Sequence, residues 1–198
     1  MPTSPFVATS RDDSKAYGRP FITGGTEPWN IPGVGVGGVG TLAVVLNTDY
    51  YSPFFVDTPL VVTALGTEVT TGASGNMRIG IYRANRHCQP VGAPLADSGN
   101  LDTTAAAVKT YTPGTPIYLQ AGRYLTIHNQ SANITLRIAT VFGDVYNVLR
   151  DIIGTSSVLS ARRLARTYAA FPTPGSEWND PVYSNSSSYS VFLRISKP

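Results

Sequence analysis

The residues able to do chemistry are few and scattered. His87 and Cys88 stand side by side, and imidazole and thiolate are common zinc donors, but a zinc site needs about four ligands, usually in pairs two to four residues apart. The only other histidine is His128 and there is no second cysteine, so a metal would have to recruit carboxylates. The pair reads better as loop residues on the Asn85–Ala93 connection. Serine catalysis needs a base and an orienting group beside the nucleophile, and neither a Gly-x-Ser-x-Gly elbow nor its strand-turn-helix context occurs. Glycoside hydrolysis needs two carboxylates flanking a cleft. The 12 acidic residues are scattered, as at Asp49, Asp57, Asp97 and Asp102, and nothing marks a catalytic pair. Residues 33–40 contain Gly-x-Gly fragments without the Lys-Ser/Thr of a phosphate loop. The expectation is a protein with no catalytic centre, resident metal or cofactor.

Recognition is easier to build from this sequence. Trp178, Tyr183 and Tyr189 lie in or beside loop-like stretches, where a ring with an apolar face and a polar edge suits a glycan or a partner surface; the same rings also suit packing over the end of a sandwich. Phe6, Tyr17, Phe21 and Trp29 are the aromatic anchors by which an N-terminal arm would dock. Arg162, Arg163 and Arg166 would form a basic stripe on a helix, since positions three and four apart are neighbours. Three arginines are too narrow for a nucleic-acid surface; they suit an inter-subunit charge site or a solvated face.

Composition says what must position these residues. Only 14% of the 198 residues are charged, against an ordinary value of about 25%. Gly (19) and Pro (15) are abundant, with Thr, Ser, Val, Ile and Tyr supplying the types that suit a pleated, half-buried surface and its turns. A chain of this length fills one domain and needs no staples. So few charges imply a surface covered by neutral polar groups or by other subunits. The net charge of +3 falls entirely in residues 155–198. A single cysteine, Cys88, rules out an internal disulfide framework and fits synthesis in a reducing cytoplasm. No secretory signal and no membrane span are expected, because the N-terminal stretch lacks a basic then apolar run and no apolar run approaches ~18 residues.

Residues 1–40 read as an extended arm and Gly-rich connector, held by docking on a neighbouring subunit or on its own domain. Residues 41–198 read as an all-β domain. Runs at Thr41–Leu46, Tyr50–Val56 and Pro59–Val69 are short and apolar, with a turn at Asn47-Thr-Asp49. Asn76–Arg83 alternates, Met77, Ile79 and Ile81 against Arg78, Gly80 and Tyr82. Ile117–Gln120 and Arg123–His128 flank a hairpin-like break at Ala121-Gly122. Asn133–Phe142 alternates again, and in Tyr189–Ser196 the residues Tyr189, Val191, Leu193 and Ile195 share a face. Such strands predict an antiparallel β-sandwich, jelly-roll-like. One short helix is predicted over Asp144–Gly154, where Val145, Val148, Leu149 and Ile152 make a one-sided stripe between an Asp N-cap and a Gly stop. Val158–Tyr168 fits either a second helix or an irregular strand.

Three segments carry a resemblance: Met77-Arg-Ile-Gly-Ile-Tyr-Arg83, then Gln89-Pro-Val-Gly-Ala-Pro-Leu-Ala-Asp-Ser-Gly-Asn-Leu-Asp102, then Ile117-Tyr-Leu-Gln-Ala-Gly-Arg-Tyr-Leu125. They resemble a β-sandwich module of tail-fibre and head-fibre proteins of tailed bacteriophages, with its Gly-Ile-Tyr strand, Gly-x-Pro-Leu hairpin and Ala-Gly-x-Tyr-Leu strand. Tyr168-Ala-Ala-Phe-Pro172 and Val191-Phe-Leu-Arg-Ile195 are similar to its closing strands. The resemblance spans roughly residues 42–196, and residues 143–167 depart from it. It implies a virion structural subunit (fibre, spike or decoration protein), a homo-oligomer with a trimer favoured, capsid or tail proteins as partners, and room for a host-surface glycan. The alternative is a stand-alone carbohydrate-binding module or adhesin, which would need export.

Overall fold

Strands form here wherever apolar or β-branched residues alternate with polar or small ones. The computed structural model describes residues 29, 36–86, 88–141, 161–173, 182–184 and 188–196. Ten strands come before the helix predicted at 144–154, which lies outside the described residues: β1 (Val36–Val44), β2 (Thr48–Val56), β3 (Leu60–Thr71), β4 (Asn76–Ala84), β5 (Pro90–Asp97), β6 (Leu101–Asp102), β7 (Ala107–Tyr111), β8 (Ile117–Leu119), β9 (Gly122–Gln130) and β10 (Ile134–Val141). Four follow it: β11 (Ala161–Ala165), β12 (Val182–Ser184), β13 (Ser188–Tyr189) and β14 (Phe192–Ser196). Among the described residues there is no helix.

The pairing is nested. β1 pairs with β10, β2 with β9, β3 with β7 and β8, and β4 with β5 and β6, all antiparallel. That is one long hairpin of paired strands folded over on itself. Cross-pairing of β10 with β3 and of β9 with β4 closes it into two sheets. The chain is an antiparallel β-sandwich with jelly-roll connectivity. The C-terminal strands extend it: β14 lies along β3, β13 along β10, β11 along β2 and β12 along β11. The sheet containing β1 and β3 is called the first here, and that containing β2 and β9 the second.

Between the sheets lies the main core. Met77, Ile79 and Ile81 of β4 are fully buried in it, with Phe54, Leu65, Val69, Leu136 and Leu193. Each such side chain stabilises the fold by roughly 1.5–3 kcal/mol relative to exposure. Three expectations change. Ala121-Gly122 is not a hairpin: β8 pairs with β3 in the first sheet and β9 with β2 and β4 in the second, so the chain crosses between sheets there. The run from Tyr189 to Ser196 is two strands, β13 on β10 and β14 on β3. The Gly-rich connector becomes strand from Val36 onward, because β10 supplies a ladder that runs, after one bulge between Val36 and Gly38, to Val44.

Trp29 lies on its own domain, one of the two docking places expected for the arm. Its indole is 1% exposed and sits on its own first sheet, over Gly66. Gly66 shares a face of β3 with Glu68, whose carboxylate pairs with Arg137 at the surface, so Trp29 covers the outer face of that sheet. The Arg194 guanidinium lies 4.5 Å above the ring. An indole sealed in this way offers no surface to another particle protein. Phe6, Tyr17 and Phe21 lie outside the described residues.

A Cβ at Gly66 would fall 2.5–2.9 Å from three carbons of the Trp29 ring. Gly66→Ala is expected to lift the indole and cost about 1–3 kcal/mol. A lowered urea midpoint together with red-shifted tryptophan emission checks it.

Candidate functional site

The densest set of polar and aromatic contacts lies on the outer face of the second sheet. Along β9, Tyr124 belongs to the main core, whereas Leu125 and Ile127 belong to a second apolar cluster with Tyr51, Tyr82, Cys88 and Phe171. Successive residues of a strand point to opposite faces, so this cluster is the outer face. A strap of chain, residues 166–173, covers it. Phe171 seats directly above Gly80, where a Cβ would come within 2.9 Å of the ring, and packs edge-on against Tyr82.

Polar groups fasten the strap at two places. At the first, Asp49 is fully buried and takes two bonds from the Arg166 guanidinium, at 2.5 and 2.9 Å. Asn129 donates to the same carboxylate at 2.6 Å and to the Arg166 carbonyl at 3.1 Å. Asn47 adds two more contacts, its carbonyl accepting from Arg166 N–H at 2.9 Å and its Oδ1 from Tyr168 N–H at 3.0 Å. Asn47 holds a left-handed backbone, φ 54°, a conformation Asn tolerates better than most residues. At the second place Arg78 grips Asp97 with two bonds, and Asp97 accepts from Phe171 N–H at 3.0 Å. Tyr168 donates to Asn100 and Tyr82 to the Pro172 carbonyl, at 2.9 and 2.6 Å. Burial lifts the Tyr168 phenol above the usual tyrosine range.

On the inner side of the same strand His128 is fully buried. Its ring stacks on Tyr50, centroids 4.9 Å apart, and its Nδ1 meets Gln130 Oε1 at 3.0 Å. Burial holds its pKa down at about 4, so at neutral pH it is an uncharged packing group. Gln130 in turn donates to the Val45 carbonyl and accepts Asn47 N–H on its own carbonyl, pinning the corner where β1 passes to β2.

The sequence-predicted residues are distributed differently from expectation. Arg162 and Arg163 stand in β11, opposite Tyr51 and Tyr50 of β2; the segment is a strand, so a helical stripe of three arginines does not form. Arg166 turns inward to its own Asp49. Tyr183 on β12 is the register partner of Arg162, whereas Tyr189 on β13 is opposite Ala139 in the other sheet. The two tyrosines therefore do not share one strand surface, and Trp178 lies outside the described residues. His87 is outside them too, while Cys88 is buried in the second cluster. Among the described residues no three of His, Cys, Asp and Glu gather as metal ligands, and no helix is long and apolar enough to cross a membrane. Asp49, Asn129, Tyr168 and Phe171 were not singled out from sequence. One signal was present: after Leu125 and Ile127, alternation puts Asn129 on the same apolar face, where a buried amide requires a partner. Compared with known proteins, the sequence matches no family model and no curated sequence.

Removing the Arg166 side chain leaves the Asp49 carboxylate buried and unanswered. Arg166→Met is expected to cost about 3 kcal/mol or more, with the double variant Asp49→Ala/Arg166→Met costing less than the sum of the single changes; urea unfolding of the four proteins measures this. His128 gives a pH dependence. The unfolded imidazole takes a proton near pH 6.5 and the folded one only near 4, so stability is complete above pH 6.5 and falls as pH drops through that window, by about 3 kcal/mol at its acid end. Unfolding curves at pH 7, 5.5 and 4 are expected to show that loss, and His128→Phe to flatten it.

Proposed function

We propose that the chain is a non-catalytic structural subunit of a bacteriophage virion, a fibre, spike or decoration protein that assembles as a homo-oligomer and presents its jelly roll outward. One observation carries the reading: apart from Tyr168–Pro172, the segments resembling phage fibre modules fall on paired strands of the sandwich. Met77–Arg83 falls within β4, the Gly-x-Pro-Leu stretch is β5 against it, and Arg123–Leu125 opens β9 beside β2 and β4. Tyr168–Pro172, similar in sequence to a closing strand of such modules, is not a strand here but forms the strap over the second sheet. Burial of Asp49 and His128 supports it further, since both groups serve packing. Residues 1–28, ahead of the Trp29 seat, attach the subunit to capsid or tail proteins in this reading. The jelly roll joins neighbouring copies and is available to host-surface glycans.

Deleting residues 1–28 while keeping Trp29 is expected to leave the sandwich folded, with an unchanged melting temperature, but to abolish its incorporation into particles. Quantitative immunoblotting of purified virions measures the occupancy; full occupancy by the truncated protein refutes the anchoring role.

A further inference from the structure

We propose that the first sheet is completed head to tail by a second copy of the chain, the β1 edge of one copy meeting the β7–β8 edge of the next. The inference rests on the reading of the chain as a homo-oligomeric subunit. Among the described residues β1 pairs only with β10, and β7 and β8 only with β3, so these are the two margins of one sheet. A long edge strand in a monomer is ordinarily guarded by charges or proline. β1 has neither: residues 28–48 contain no charged side chain, and Val36–Val44 contains no proline. Across residues 103–122, at the other margin, Lys109 is the one charge, and Asp102 answers it at 3.9 Å.

Large apolar side chains gather at the same two margins. Val39 and Val45 are 52% and 53% exposed on β1 and its corner, and Val108 and Tyr118 are 40% and 66% exposed on β7 and β8. The margins of the second sheet are β5, which carries Asp97 beside an exposed Val91, and β12. A charged partner would find nothing to pair with at either neutral margin of the first sheet, whereas each suits the other. A twofold contact of β1 with β1 would leave the β7–β8 margin uncovered. One head-to-tail contact covers both, and because it joins two different surfaces it ends only when a ring of three or more copies closes.

The test uses the full chain in solution, with mass measured by light scattering. Val39→Lys with Ala43→Lys charges the β1 margin, and Val108→Glu with Tyr118→Glu charges the other. The wild type is expected at three or more protomer masses, each variant at one, and a chain carrying all four changes is expected to reassemble in low salt through the new opposite charges. Circular dichroism and a single cooperative urea transition confirm folding, the midpoint falling only by the stabilisation that assembly supplies; Val39→Ser and Tyr118→Ser replace any variant that fails to fold. If the wild type assembles but neither margin matters, or only β1 does, the head-to-tail contact is wrong and the assembling-subunit reading survives. A wild type that stays monomeric at every concentration overturns both.

Discussion

A sheet that is apolar on both faces cannot stop at one core. Burying the inner faces leaves Tyr51, Tyr82, Leu125 and Ile127 on the outside of the second sheet, and leaves bare backbone at Gly66 on the outside of the first. Water would meet that surface unless more chain were laid over it. Residues outside the nested pairing of β1 to β10 do this: Trp29 before it and residues 166–173 after it. The sandwich is therefore closer to four layers than two at these places, and the layers beyond the sheets are irregular chain held by side chains.

This constraint explains where the charges have gone. Asp49, Asp97, Arg78 and Arg166 fasten the strap, and Arg194 roofs the indole. In a chain with so few ionisable residues, using them as internal fasteners leaves broad tracts of surface neutral. The glycines follow the same logic. Gly66 is needed because the Trp29 ring lies against its backbone, and Gly80 because the Ala96 carbonyl and the Phe171 ring both do, close approaches that any side chain would block.

Much of the fold was legible in the sequence wherever one face of a strand differed from the other. Met77, Ile79 and Ile81 announced β4 and its inward face, and Ile134, Leu136 and Ile138 did the same for β10. Legibility failed where structure is imposed from outside the segment. Val36–Gly40 has no strand signature of its own and becomes one because β10 offers a ladder. Residues 161–165 look equally helical, and the free edge of β2 decides the matter. The site was less legible still: Asp49 and Arg166 are 117 residues apart, and a single sequence gives no cue that joins them. Asn129 was the exception, an amide in line with apolar neighbours.

The nesting of the strands also sets an order of events during synthesis. β1 leaves the ribosome first, but its partner β10 begins only at Ile134, roughly ninety residues later. At translation rates of about 5–20 residues per second, that strand waits on the order of ten seconds before it can pair. Closing so many distant contacts is slow in itself, typically milliseconds to seconds for all-β sandwiches. During that interval an uncharged strand is open to any nascent neighbour on the same message. Polysomes, where identical chains emerge side by side, are thus the setting in which this topology is most exposed to mispairing.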